Sequence, residues 1–161
     1  MDDTDLQHLR RCVELAADAV EAGDDPFGSV LVGATGEVLR EDRNRETSAG
    51  DPTAHPEIEL ARWAGTHLTA AQLSGATVYT SGEHCPMCAA AHGWVGLGRI
   101  VYASSSAQTA QWLEEMGVPT APVLPLPVGQ VAPYVVTEGP SAELAPLVHE
   151  LHRRRREQLQ G

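Results

Sequence analysis

Lysine is absent from this chain of 161 residues, and all eleven of its basic residues are arginines. Without a lysine amine, a protein cannot form a Schiff base, anchor pyridoxal phosphate or build a Walker phosphate-binding loop. The sequence therefore excludes these three kinds of chemistry.

Positive charge is also scarce. The chain has 22 acidic residues and a formal net charge of −11, and its one dense group of arginines is the run 153–156. An acidic surface repels phosphate backbones, so nucleic acid is an unlikely partner and a small molecule is the expected substrate. The arginine run lies near the end of a predicted helix, where cations are favourable without any ligand.

Cysteines and long apolar runs are few. Three cysteines, two of them three residues apart, do not make a disulfide framework and instead indicate a metal or redox pair. No apolar run is suited to a membrane helix, and the first eleven residues do not resemble a secretory signal. We expect a cytoplasmic protein without a membrane partner.

With 42% apolar residues, the chain is predicted to form a single domain over residues 1–161. Within it, residues 118–161 are predicted to form a C-terminal irregular segment and a helix.

The hydrophobic pattern predicts alternating helices and strands after an opening helix and hairpin. The predicted helices are 5–22, 56–64, 85–96, 109–116 and 141–160, and the predicted strands are 28–32, 37–43, 76–80, 99–104 and a last one near Val123. Thr53 is the expected cap of the second helix and Gly65 its end, and residues 44–53 are expected to form a loop.

These elements predict an α/β fold. The hairpin pairs antiparallel strands, whereas strands separated by helices pair in parallel, so the sheet should be mixed and about five-stranded, with helices on both faces. We expect a three-layer α/β/α sandwich. Trp94 could belong to the core or to the wall of a pocket, and the core is favoured.

Two short motifs carry the expected chemistry. His55-Pro56-Glu57 and Cys85-Pro86-Met87-Cys88 both begin predicted helices. Cysteines three apart share a helix face, and a helix N-terminus favours thiolates. With His55 they could form a Cys2His zinc site, one Zn2+ per chain, whose fourth position stays open for catalysis. Glu57 is not needed as a ligand and is the candidate general base.

Two alternatives remain open at this point. A Cys-x-x-Cys motif after a strand is also typical of thioredoxin-like redox sites. A protein of another class, a non-catalytic zinc-binding interaction protein, would keep the metal residues without turnover, although an intact Glu57 argues against it.

The motifs resemble the zinc-dependent cytidine/deoxycytidylate deaminase superfamily, whose signature is His-x-Glu followed by Pro-Cys-x-x-Cys. The resemblance covers about residues 5–116 and looks greatest to the branch of guanine deaminases and tRNA adenosine deaminases. The segments that carry it are Pro26-Phe27-Gly28, Asn44, Asp51-Pro52-Thr53-Ala54-His55, Tyr79-Thr80-Ser81, Cys85-Pro86-Met87-Cys88 and Arg99-Ile100-Val101-Tyr102.

The resemblance implies a five-stranded sheet between helices, zinc-assisted attack of water on an amidine carbon, loss of ammonia and proton transfer by Glu57. It also implies that Asn44 binds the base and that Phe27 and the Ala54 backbone line the pocket. Guanine is the first expected substrate. A tRNA adenosine, cytosine or a nucleoside is the alternative, and a homodimer is expected.

The chain departs from the family pattern at two positions. Pro56 separates His55 from Glu57, which suits a first helical turn. His84 stands where the family has proline. It is interpreted as a substrate contact, an alternative metal ligand or a residue that alters specificity, or else as a merely exposed turn residue. Glu115 falls in the region where guanine deaminases place an acidic side chain that reads the base, but it could equally belong to a solvated helix end.

Overall fold

The computed structural model describes residues 1–161, which form eight helices and five strands. The helices are α1 (Asp3–Glu21), α2 (Glu46–Ala49), α3 (Pro56–His67), α4 (Ala70–Gly75), α5 (Pro86–Val95), α6 (Ser106–Glu115), α7 (Val128–Val131) and α8 (Ala145–Gln160). The strands are β1 (Gly28–Val32), β2 (Val38–Arg43), β3 (Thr77–Gly82), β4 (Arg99–Ser104) and β5 (Thr137–Glu138).

The strands make one mixed sheet in the order β2-β1-β3-β4-β5. β1 pairs antiparallel with β2 and β3, while β3, β4 and β5 run parallel. The prediction of a mixed five-stranded sheet is confirmed, and its parallel half comes from the strand–helix alternation after β3.

Helices cover both faces of the sheet because the central strands are apolar on both sides. Val30 and Val32 of β1 pack in the cluster that contains Leu9 of α1, whereas Leu31 packs with Leu60 of α3. Gly28, where β1 begins, has no room for a side chain, since a Cβ there would lie 2.5 Å from the Cys12 carbonyl oxygen of α1. The three-layer α/β/α arrangement is therefore confirmed.

The predicted last strand near Val123 is wrong. Val123 is 54% exposed in an irregular stretch, and the fifth strand is the two-residue β5. This strand pairs Thr137 and Glu138 with β4, and two residues are too few to show an alternating pattern.

Several predicted boundaries also shift. His55, not Thr53, caps α3, and the Thr53 hydroxyl instead donates to Asp51 at 2.8 Å. Gly65 does not end α3, which continues to His67. The predicted loop 44–53 contains α2, and the final helix begins at Ala145.

Trp94 is not in the core as expected but on the surface, with 91% of it exposed on α5. No helix of the fold combines the length and apolar character needed to cross a bilayer.

Candidate metal centre and active site

Two helix starts bring the candidate ligands together. His55 is the N-cap of α3 and Cys85 the N-cap of α5, and in each case a proline occupies the first turn. Proline fits there because its fixed φ suits a helix and its missing N–H has no intrahelical partner to lose. Cys88 lies one turn into α5 and is fully buried.

The geometry of these three side chains fits a tetrahedral zinc ion. Nδ1 of His55 lies 3.6 Å from Sγ of Cys85 and 3.6 Å from Sγ of Cys88, and the three ligand atoms all lie within 4.8 Å of one another. A tetrahedron with Zn–S of about 2.3 Å and Zn–N of about 2.0–2.1 Å separates sulfur from nitrogen by about 3.5–3.6 Å. The set therefore matches zinc in both donor chemistry and spacing.

The two thiols and the imidazole strongly shift one another's pKa values. Hydrogen bonding with Cys88 lowers the pKa of Cys85 to about 4, aided by His55 and opposed by burial. Burial would lower the pKa of His55, but the contacts with Cys85 and Glu46 outweigh it and raise it to about 10. The pKa of Cys88 is raised by Cys85 and by burial. One thiolate is thus already favoured at this position, as metal binding requires.

Glu57 has two distinct environments for its carboxylate oxygens. Oε1 lies 3.2 Å from the Ser29 hydroxyl and 3.0 Å from the Thr80 hydroxyl, whereas Oε2 lies 3.6 Å from Sγ of Cys88. Burial raises the pKa of Glu57, and the charge of His55 opposes that rise. One oxygen is therefore held against the sheet while the other faces the metal ligands.

A second carboxylate lies on the far side of the imidazole. Oε1 of Glu46 is 3.0 Å from Nε2 of His55 and accepts a hydrogen bond of 2.8 Å from Nδ2 of Asn44. Asn44 is fully buried, and its Oδ1 accepts a hydrogen bond of 3.0 Å from the Glu46 backbone N–H. Asn44, Glu46 and His55 thus form one continuous polar chain.

Phe27 directly precedes β1, and its ring packs against Gly82 at the end of β3. A Cβ at Gly82 would come within 2.9 Å of its ring, so only glycine permits this approach. The ring makes an edge contact with His152 of α8 at a centroid distance of 5.3 Å. Nε2 of His152 is buried without a hydrogen-bond partner, and burial lowers the pKa of this imidazole to about 4.

The remaining predicted site residues are Ala54, His84 and Glu115. Ala54 directly precedes His55 and is half-buried. His84 is only 1% exposed, so the interpretation as an exposed turn residue is wrong; its ring meets His92 edge-on at 5.3 Å, and neither ring nitrogen has a partner. Glu115 is exposed at the end of α6, where it accepts a hydrogen bond from Gln111. Substrate contacts of these three residues remain predictions.

Two of the four arginines in the run 153–156 are paired within the fold. Arg153 bonds to Glu150 and Glu157 along α8, and Arg155 is 8% exposed and bonds to Asp25. These contacts are those of a helix surface and its packing.

Sequence reasoning missed four residues around the site: Ser29, Glu46, Thr80 and His152. None of them falls at a diagnostic spacing from the cysteines. Thr80 belongs to a motif that supports the family resemblance, but its hydroxyl contact depends on the register of β1 against β3, in which it stands opposite Ser29.

The fold is a mixed sheet between helices, and the buried carboxylate of Glu57 lies beside its Cys2His set of candidate zinc ligands. Residues 2–104 match the family model described as the cytidine and deoxycytidylate deaminase zinc-binding region. The chain belongs to this family.

Guanine deaminase of Bacillus subtilis is 40% identical over 104 residues, which are 64% of this chain and 66% of that protein. Its solved structure has a TM-score of 0.60 at 34% identity and covers 79% of this chain and 83% of that one. The tRNA-specific adenosine deaminase of Haemophilus influenzae is 33% identical over 65% of this chain and 61% of its own length.

A guanine deaminase structure from Nitrosomonas europaea has a TM-score of 0.71 at 21% identity, covering 93% of this chain and 83% of that one. At that identity the likeness concerns the fold. In sequence, the chain spans about two thirds of the length of the first two relatives.

Proposed function

We propose that the protein is a zinc-dependent hydrolytic deaminase of a nucleobase or related aminated heterocycle, acting as the single domain 1–161. The observation that carries this proposal is the position of Glu57, whose Oε2 lies 3.6 Å from the sulfur of a metal-ligand cysteine while Oε1 is bound by hydroxyls. A purely structural zinc site has no need of a buried carboxylate beside it.

His55, Cys85 and Cys88 would hold the zinc ion, which supplies Lewis acidity that makes water a better nucleophile. Two thiolate ligands weaken that acidity, so a nearby base is useful. Glu57 accepts a proton from the attacking water and then donates a proton to the substrate nitrogen. The water oxygen adds to the amidine carbon, and the bond from that carbon to the amino group then breaks. Of the two water protons, one ends on the ring nitrogen and the other leaves on the amino group as ammonia.

Recognition of the base is assigned to Asn44, Phe27 and the Ala54 backbone. Nδ2 and Oδ1 of Asn44 each have one contact with Glu46, so this buried amide keeps a second N–H and a second lone pair that Glu46 does not use. Phe27, whose backbone carbonyl accepts a hydrogen bond from the Asn44 N–H, offers an aromatic ring. His84 and Glu115 are retained as candidate specificity residues.

Guanine is the proposed substrate, with xanthine as the product. The 40% identity over 104 residues to guanine deaminase of Bacillus subtilis supports this choice. The runner-up is tRNA adenosine deamination, for which relatives also exist. The net charge of −11 and the internal pairing of Arg153 and Arg155 favour the small molecule over RNA.

Ammonia release should be measured with zinc-loaded protein across guanine, adenine, cytosine, their nucleosides and several aminated triazines and pterins. Turnover of guanine supports the full proposal, and turnover of another compound supports the deaminase class while replacing the substrate. Turnover only of a tRNA anticodon stem-loop, with salt-sensitive binding, would replace the small-molecule assignment. No turnover of any of these at full zinc occupancy would contradict the proposal.

The assembly proposed for this enzyme is a cytoplasmic homodimer. Trp94 is 91% exposed and Tyr134 is 97% exposed beside an apolar groove that includes Ala90, Leu97, Ala132 and Val135. The groove has no charged residue, so it is where two copies of a chain with net charge −11 can meet with the least repulsion.

A further inference from the structure

Glu46 is a half-buried carboxylate that no family motif accounts for. Its side chain is 28% exposed, and it extends from the first residue of the four-residue helix α2 toward the site. Its Oε1 lies 3.0 Å from Nε2 of His55 and 2.8 Å from Nδ2 of Asn44. One oxygen atom therefore contacts both a zinc ligand and the amide assigned to the substrate.

We propose that Glu46 is a positioning residue that sets the zinc affinity through His55 and the substrate affinity through Asn44. On the metal side, the Nε2–H of His55 donates to Glu46, so Nδ1 is the nitrogen that faces the two sulfurs at 3.6 Å. A carboxylate that accepts from the far nitrogen fixes the orientation of a ligating imidazole and raises its basicity.

On the substrate side, Glu46 holds both ends of the Asn44 amide. The Asn44 Nδ2–H donates to the carboxylate, while the backbone N–H of Glu46 donates to Oδ1 at 3.0 Å. The Asn44 backbone is separately fixed by a hydrogen bond of 2.9 Å from its N–H to the Phe27 carbonyl. The amide therefore has one orientation before any substrate arrives, which lowers the ordering cost of binding.

The position of α2 does not depend on the Glu46 side chain. The Asp24 carboxylate accepts hydrogen bonds of 2.7 Å from both the backbone N–H and the hydroxyl of Ser48, and Arg155 contacts the Thr47 hydroxyl at 3.3 Å. Removing the Glu46 carboxylate should consequently disturb the imidazole and the amide while leaving the helix in place.

The first test is the zinc dissociation constant, measured by competition with a chromophoric chelator, for Glu46→Gln and Glu46→Ala. Loss of such an outer carboxylate typically weakens metal binding about 10- to 100-fold. Glu46→Ala should fall in this range, and Glu46→Gln should lie between it and the wild type because glutamine keeps a neutral acceptor. The cobalt-substituted variants should also show shifted ligand-field absorption bands, since the imidazole is no longer held.

Glu59→Gln is the matched control, because the Glu59 side chain on α3 pairs with Arg62 at 2.5 Å and makes no hydrogen bond to the zinc ligands. It should keep the wild-type zinc affinity within about twofold. A Glu46→Ala protein with the same zinc affinity and cobalt spectrum as the Glu59→Gln control would overturn the metal half of the proposal.

The substrate half rests on the proposed function and uses the split between KM and kcat. Glu46→Ala at saturating zinc should raise KM more than it lowers kcat, and Asn44→Ala should raise KM while keeping the zinc affinity. An unchanged KM for Glu46→Ala would overturn this half. If the wild type deaminates nothing, the proposed function fails, but the zinc affinities still decide whether Glu46 positions His55.

Discussion

The hydroxyl of Thr80 lies 3.0 Å from Oε1 of Glu57, on the side of the carboxylate opposite the sulfur of Cys88. Ser29 reaches the same oxygen from the neighbouring strand at 3.2 Å and lies 2.9 Å from Oγ1 of Thr80. The proposed proton-transfer group is thus attached to the central strands of the sheet, which are the most buried part of the fold.

Thr80→Val should lower kcat by about 10- to 100-fold, because it removes a hydrogen bond to a charged group, an interaction worth about 1.5–3 kcal/mol. Valine keeps the shape of threonine, so zinc content should change little. The unfolding midpoint should fall modestly, because the Thr80 hydroxyl also lies 2.9 Å from the buried Gly82 carbonyl oxygen. The measurement is steady-state kinetics of zinc-loaded protein with metal content determined on the same sample.

Thr80→Ser is the control for that substitution, since it restores the hydroxyl and should recover most of the kcat. Ser29→Ala combined with Thr80→Val should cost less than the two separate losses together, because both act on one oxygen. Equal activity of Thr80→Val and Thr80→Ser would show that the hydroxyl contributes nothing.

Removal of zinc should destabilise the fold, because the ion binds the native arrangement of α3 and α5 and not the unfolded chain. At free zinc a thousandfold above Kd, this linkage is worth about 4 kcal/mol, which corresponds to a change in Tm on the order of 10 °C. Calorimetry with and without a chelator measures the difference. It should vanish in Cys85→Ser but persist in Cys12→Ala, whose cysteine is buried in the core away from the ligands.

Stability should fall between about pH 4 and pH 2 partly through Asp5. Burial alone would raise the pKa of Asp5, but hydrogen bonds from Arg99, the Asp2 backbone and Tyr79 outweigh it and lower the pKa to about 2 from 3.8. The carboxylate therefore stabilises the fold fully above its unfolded pKa, and this is lost as pH falls toward the folded value. The contribution is about 2 kcal/mol at neutral pH.

Urea unfolding of Asp5→Asn at several pH values checks this. The variant should be less stable than the wild type at pH 7 and should lose less stability on acidification. Tyr79→Phe removes only one of the hydrogen bonds and should give an intermediate result. Parallel pH profiles for Asp5→Asn and the wild type would contradict the assignment.

In the proposed homodimer, the apolar groove around Trp94 and Tyr134 is the interface. Light scattering coupled to size-exclusion chromatography should give twice the monomer mass for the wild type and the monomer mass for Trp94→Glu and Tyr134→Glu. Leu147→Glu adds the same charge at an exposed apolar position of α8 and should remain dimeric. A monomeric wild type would refute this surface as the interface. Dimers of both Trp94→Glu and Tyr134→Glu would refute it as well.

The metal centre was largely predictable because helix N-termini have local sequence signals. His55 and Cys85 each precede a proline that begins a helix, and Cys88 follows at the spacing of one turn. By contrast, the contacts of Ser29 and Glu46 depend on strand register and on a four-residue helix, neither of which has a periodic pattern to recognise.

The surface position of Trp94 was mispredicted for a similar reason. An apolar side chain on a helix is ordinarily expected to face the core, but α5 also presents an apolar surface to solvent beside the segment around Tyr134. Only the tertiary arrangement shows which apolar face of α5 is buried and which one is exposed.

The most direct test of the central claim compares ammonia release from guanine by the wild type and by Glu57→Gln at equal, measured zinc content. The wild type should release one equivalent of ammonia for each xanthine that it forms. The variant should bind zinc normally and lose at least about a hundredfold in kcat, as expected for removal of a general acid–base group. Wild-type turnover by the glutamine variant at full zinc occupancy would contradict the mechanism.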